Sequence, residues 1–201
     1  SIILISANGA ASKDVSVSVG PVIKLVDSTV KAYIGSQARV TAGGISIIAE
    51  SNTDILGIAG SVSASFGNAG VGAVADTNKY EKVVHAYIDD GAVVSCSGNI
   101  SIYAVSRDKI SSYVVGIAIS TEVTVEGSAA VNIISNDVRS FIGNNVEINK
   151  GTQRAGDISV KAEQDTDILV IAGGLSGSTG NAAVGVSAGV ITFDGKALAY
   201  I

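Results

Sequence analysis

The sequence predicts an all-β protein, a stacked β-solenoid. Three observations lead there: a long internal repeat, two-residue alternation of apolar and polar side chains, and an apolar content of small and β-branched residues. Of the 201 residues, 47% are hydrophobic, too many for a disordered chain. Only 15% are charged, against ~25% in an ordinary globular protein. The chain has 24 Gly, 1 Pro and 3 Phe, with no Trp or Met, so Ala, Val and Ile supply the bulk of the apolar mass. Such a mixture fits narrow, layered β structure better than a bulky core.

The repeat carries the architecture. Val30-Lys31-Ala32-Tyr33-Ile34-Gly35 recurs as Val84-His85-Ala86-Tyr87-Ile88-Asp89 and as Val138-Arg139-Ser140-Phe141-Ile142-Gly143. The chain ends on Ala197-Leu198-Ala199-Tyr200-Ile201. The anchors Tyr33, Tyr87, Phe141 and Tyr200 lie 54, 54 and 59 residues apart. A second landmark, Ile45-Ser46-Ile47, answers to Ile100-Ser101-Ile102 and Ile158-Ser159-Val160. A third, Thr53-Asp54-Ile55-Leu56, answers to Thr166-Asp167-Ile168-Leu169. Gly67-Asn68-Ala69 answers to Gly180-Asn181-Ala182, with Gly127-Ser128-Ala129 read as the middle copy. The extra residues of the third copy fall at 150–154, a loop by composition. The repeats run approximately 29–83, 84–137 and 138–196, in one solenoid spanning 1–201 with partial repeats at both ends.

Within each repeat the period is two. Val30, Ala32 and Ile34 share one face, and Lys31 and Tyr33 the other. Ile45, Ile47 and Ala49 continue the apolar face. From position 55, Leu56, Ile58, Val62, Ala64 and Phe66 alternate with Gly57, Ala59, Ser61, Ser63 and Ser65. A repeat of this length divides into two coils of roughly 27 residues, within the usual size of a solenoid unit. Seven or eight such coils would stack to a rod of roughly 35 Å. Ala32, Ala86, Ser140 and Ala199 would form one inward ladder, and Ile34, Ile88, Ile142 and Ile201 another. An alternative stays open: the runs 55–66 and 69–78 meet at Gly67-Asn68, which can head an antiparallel hairpin.

Several function classes are disfavoured. The net charge is −5 with no dense Lys/Arg cluster, so nucleic acid is not an expected partner. The lone Cys96 forms neither an internal disulfide nor a metal site, and is read as a small core or turn residue. His85 is read as a solvated strand residue, since its repeat equivalents are Lys31, Arg139 and Leu198. Asp54 and Asp167 are equivalent, with Asp108 shifted by one; turn capping explains them better than a catalytic acid cluster. Asp89-Asp90 and Asp165/Asp167 lack a calcium-repeat pattern. The run Gly67-Asn68-Ala69-Gly70-Val71-Gly72 precedes no helix, so it is not a phosphate loop. No catalytic residue, cofactor or metal site is expected. No apolar run is long enough for a transmembrane helix. Without an initiator Met or a signal peptide, the chain reads as a fragment of a longer one.

One surface invites a contact role. Ala59, Ser61, Ser63 and Ser65, with Ala172, Ser176 and Ser178 in the third copy, are read as an outward face of small uncharged residues. Exposed β surfaces normally carry charge against aggregation. A charge-free face suggests contact with another protein or a membrane. The competing reading is that further coils or a second sheet cover it.

These motifs carry a resemblance. The Ala-Tyr-Ile-Gly anchor, the stretch 32–49 and the Ile-Ala-Gly-Ser-X-Ser-X-Ser-X-Gly-Asn-Ala-Gly-Val-Gly-Ala stretch at 58–73, repeated over 158–189, are similar to passenger repeats of large Gram-negative exoproteins. The resemblance is to leukotoxin-type and filamentous-haemagglutinin-like adhesins, exported by autotransporter or two-partner routes. It covers essentially the whole chain, although 106–126 departs from it. The resemblance implies a right-handed parallel β-helix, secretion or display at the outer-membrane surface, and a non-enzymatic role in host-cell contact. The partner would be a host-cell surface protein, glycan or membrane. Independently, uncapped coils at both ends predict end-to-end self-association of the fragment. A passive stalk is the alternative, and a carbohydrate-active β-helix a more distant one.

Overall fold

The structure, a computed structural model, describes residues 1–149 and 156–201. The loop expected at 150–154 therefore lies outside the described residues. Eleven strands follow in order: β1 (Ile2–Ser12), β2 (Val15–Ile34), β3 (Arg39–Ala42), β4 (Ile45–Ser65), β5 (Ala69–Ile88), β6 (Val93–Cys96), β7 (Ile100–Ser120), β8 (Val123–Ile142), β9 (Glu147–Ile148), β10 (Ile158–Ser178) and β11 (Ala182–Tyr200). They form three sheets: β1-β4-β7-β10, β11-β8-β5-β2, and the short β3-β6-β9. Every pairing is parallel, and each joins a strand to its counterpart one repeat away. The fold is a parallel β-solenoid.

The anchor registers follow the sequence: Ile34 pairs with Ile88, Ile88 with Ile142, and Phe141 with Tyr200. Two expectations are corrected. Each repeat makes one coil, not two, because its two long strands lie in different sheets and pair only with neighbouring repeats. Four coils of ~20-residue strands give a slab about 65 Å long and about 15 Å between outer rungs, not a slender rod. The hairpin alternative also fails, since β4 and β5 meet at Gly67-Asn68 but belong to facing sheets. The tip of the middle coil is Thr121-Glu122, because Ala69 pairs with Val123; Gly127-Ser128-Ala129 lies within β8.

One end of the slab, here the base, is an ordinary core. Ile47, Ala49, Val84, Ala86, Ile88, Val94, Cys96, Ile100, Ile102, Ala104 and Val138 fill the space enclosed by all three sheets. Ala86 and Ser140 lie in the expected small ladder and Ile88 and Ile142 in the aliphatic one, all buried. Cys96 packs in this core, its Sγ 3.3 Å from the Gly98 carbonyl oxygen. On the outer surface Tyr33, Tyr87, Phe141 and Tyr200 stack with centroids 5.1, 4.8 and 5.2 Å apart. Such contacts contribute about 0.5–1.5 kcal/mol each and fix the rung register.

The corner leading into the short sheet needs a left-handed residue in every coil. Gln37, Gly91 and Asn145 occupy it at φ of 58°, 69° and 54°. Gly and Asn tolerate that conformation, whereas glutamine has no local compensation. Gln37→Gly is expected to stabilise the fold by roughly 0.5–1 kcal/mol, read as a higher denaturation midpoint at unchanged slope. Asn149, at φ 51°, closes the short sheet differently: its side chain accepts from Cys96 N and donates to Cys96 O, both at 2.6 Å.

Candidate functional site: a contact surface on the distal half

Strand parity decides what faces out. Ile45, Ile47 and Ala49 point inward, and the alternation of β4 then runs unbroken to its end. Odd-numbered positions therefore stay inside through Ile55, Gly57, Ala59 and Ser61. The apolar residues of the sequence, however, change phase at Ile55-Leu56. With no bulge to absorb the change, every side chain beyond it takes the opposite side. The expected contact face is thus turned inward: Ala59, Ser61, Ser63 and Ser65 are at most 5% exposed. Ala172, Ser176 and Ser178 lie on the same inner face, partly covered because theirs is the last described coil. The facing sheet covers these residues, and they are no outer contact surface.

The residues read as core are the outer surface instead. Leu56, Ile58 and Val62 point outward from β4 and Phe66 lies just past its end; Val62 and Phe66 are 48% and 78% exposed. Val115, Ile117 and Ile119 do so from β7, and Leu169, Ile171 and Leu175 from β10. On the other sheet Val15, Val17, Val19 and Ile23 are joined by Val123, Val125, Val184 and Val186. No charged side chain interrupts the outward positions of β4 from Leu56 to Ala64 or of β8 from Val123 to Ile133. The far half of the slab thus has an apolar outside over an inside of small side chains, in which hydroxyls and buried polar groups flank a cluster of Val22, Ala59, Val74, Val114 and Ala130.

Serine and threonine hydroxyls tie the inside together near the tip. Ser63 Oγ donates to Ser16 O at 3.0 Å, Ser65 Oγ to Asp14 O at 2.7 Å, and Thr124 Oγ1 to Gly177 O at 2.8 Å. Deeper in, Lys24 Nζ lies 2.9 Å from Asp76 Oδ1 with both side chains almost wholly buried. Asn78 donates to Asp76 at 2.9 Å and to Asn132 at 2.8 Å. A second buried pair, Lys82 and Asp108, is joined by Asn136, which donates to Asp108 at 2.8 Å. Between the two pairs sit Ile55, Tyr80, Ile110 and Ile134. Burial and the nearby Asp76 hold the Tyr80 hydroxyl protonated.

Glu126 is the exception among these groups. It is fully buried, and among the described residues its carboxyl oxygens make no well-formed hydrogen bond. The carboxyl fills space above Gly72 and Gly116, where a Cβ would collide with it.

The remaining candidates have structural roles. Asp54, Lys109 and Asp167 pair in one outward row of alternating charge, and Asp108 is a different, inward residue paired with Thr53. Arg107 lies 3.1 Å from Glu50 and 3.9 Å from Glu163, in an exposed ladder of small energetic weight. Asp90 Oδ1 accepts from the Asn144 amide at 2.7 Å, tying corner to corner. His85 faces outward, 3.5 Å from Asp137, and partial burial lowers its pKa. Among the described residues no three His, Cys, Asp or Glu side chains converge to hold a metal. No helix among them is long and apolar enough to cross a membrane, which leaves strands aside. The chain matches no protein-family model, no curated protein and no solved structure.

Proposed function

We propose that this chain is a non-enzymatic contact module of an exported bacterial repeat protein of the leukotoxin or adhesin kind, acting at the host-cell surface. The observation that carries the reading is the outer band of Val, Ile, Leu and Phe on both faces of the distal half. Exposed apolar surface on this scale marks a partner, and scattered single residues would not. Resemblance to secreted virulence repeats supplies the setting: secretion or display on the bacterial surface, with a host protein, glycan or membrane opposite.

A passive stalk is favoured by a separate observation, the regular ladders that a spacer would also have. End-to-end association belongs with either reading, since β1, β2, β10 and β11 each have one edge unpaired by described strands. Light scattering over a concentration series checks it, and a strict monomer counts against it. The deciding experiment is binding of labelled, folded protein to leukocytes and epithelial cells, with dye uptake recorded in the same tubes. Saturable binding is expected. Absence of binding at micromolar concentration would make the module a stalk.

A further inference from the structure

We propose that the distal half of the slab penetrates the hydrocarbon layer of a lipid bilayer, tip first, with the base remaining in water. The inference rests on the contact-module reading and names its partner. Three observations carry it together.

The first is the inversion itself. A face covered by another protein in water would still be expected over an apolar interior. Here the interior under the band holds Glu126, Ser61, Ser128 and Ser18, all buried, beside a small apolar cluster of Val22, Ala59, Val74, Val114 and Ala130, while valines and isoleucines face out. Buried polar groups beneath a continuous apolar outer surface are the arrangement of β structure surrounded by lipid. The second is length. Leu56 to Phe66 on one sheet, and Val15 to Leu25 on the other, each cover roughly 33 Å at ~3.3 Å per residue. Bilayer hydrocarbon is ~30 Å thick, and spanning strands have ~9–11 residues.

The third is where charge resumes. At the base side of the band lie Asp54, Lys109 and Asp167 on one sheet and Asp27, Lys79 and Glu81 on the other. At the tip the turns carry Lys13, Asp14 and Glu122. Polar residues thus border the apolar band on both sides, at the separation of two headgroup layers. On the outside of the second sheet, Val19, Pro21, Ala73, Ala75, Gly127 and Val186 line an apolar trough of about 400 Å³, which suits an acyl chain. Within the stack, backbone groups of the band pair between coils, as hydrocarbon requires. The outer edges of the end coils need the same, so the inserted form joins copies edge to edge.

The test uses vesicles of phosphatidylcholine and cholesterol, with no protein or glycan present. In a Cys96→Ala background, an environment-sensitive dye is placed at Val125→Cys, in the band, or at Ser46→Cys, outside it. The dye at 125 should shift to the blue on vesicle addition and be quenched by lipids labelled in the acyl chain; the dye at 46 should do neither. Val125→Arg and Ile171→Arg should each weaken vesicle partition roughly tenfold or more. Ser46→Arg should leave it unchanged. Bound protein should cross-link as multimers, and a bound form that cross-links only as monomer overturns spanning.

The remaining outcomes are also decisive. Saturable cell binding without vesicle binding overturns the lipid partner and leaves the contact module standing. If neither cells nor vesicles bind, both readings fall together. Shielding of the dye at 125 by self-association in lipid-free solution, with no further change on adding vesicles, makes a second copy the occupant and overturns insertion.

Discussion

Asp76→Ala is expected to destabilise the protein by about 3–5 kcal/mol, the loss found when one partner of a buried ion pair is removed. Lys24 would be left inside the slab, its side chain 4% exposed, without the carboxylate it pairs with. Asn78 and Ser112 lose an acceptor in the same step. The measurement is the urea midpoint of the variant against wild type at unchanged slope. Lys24→Met combined with Asp76→Leu should recover much of the loss, because removing both charges ends the desolvation cost that each imposes alone. A single variant within about 0.5 kcal/mol of wild type, the range of ordinary surface changes, would mean that Lys24 escapes to solvent and the pair is not structural.

The second large effect separates two isoleucines of one strand. Ile102 is fully buried in the base core, and Ile119, at the other end of β7, is 51% exposed. Ile102→Ala should cost about 2–5 kcal/mol through lost burial and a cavity that stacked coils cannot close. Ile119→Ala should stay within about 0.5 kcal/mol, since the side chain is half exposed and its rung neighbours are the small Ala64 and Gly177. Comparable costs at both sites would return Ile119 to a core and remove the inversion on which the contact surface depends. Thermal melts of the two variants, with circular dichroism to confirm β structure, decide between these outcomes.

Much of the architecture was legible in the residues. The anchors at Tyr33, Tyr87, Phe141 and Tyr200 locate the register because stacked identical coils put equivalent residues on one another. The number of coils per repeat was not legible: two alternating runs joined by Gly-Asn look alike whether they fold into one large coil or two small ones. Facing has a physical reason to escape hydrophobicity: the parity running on from Ile47 and Ala49 puts Ala59 and Ser61 inside, whatever the polarity of their neighbours. Counting in twos from Val84 would likewise have placed Lys82, Asn78 and Asp76 in the interior. The rule that apolar residues seek the inside assumes water outside, an assumption that the proposed insertion removes for the distal band.

The pairing of Ile34 with Ile88 and of Ile88 with Ile142 sets one turn of the chain at 88 − 34 = 54 residues, and 142 − 88 gives the same. A gene duplication or excision of that length returns the chain to the same point on the circuit. It lengthens or shortens the stack without shifting any side chain to the wrong side. An excision of half that length would bring a strand of one sheet to the position of the other, and all later pairings would be lost. Unequal recombination between repeats can therefore tune the height of the stack in steps of one rung, and natural variants should differ by whole repeats rather than by arbitrary lengths.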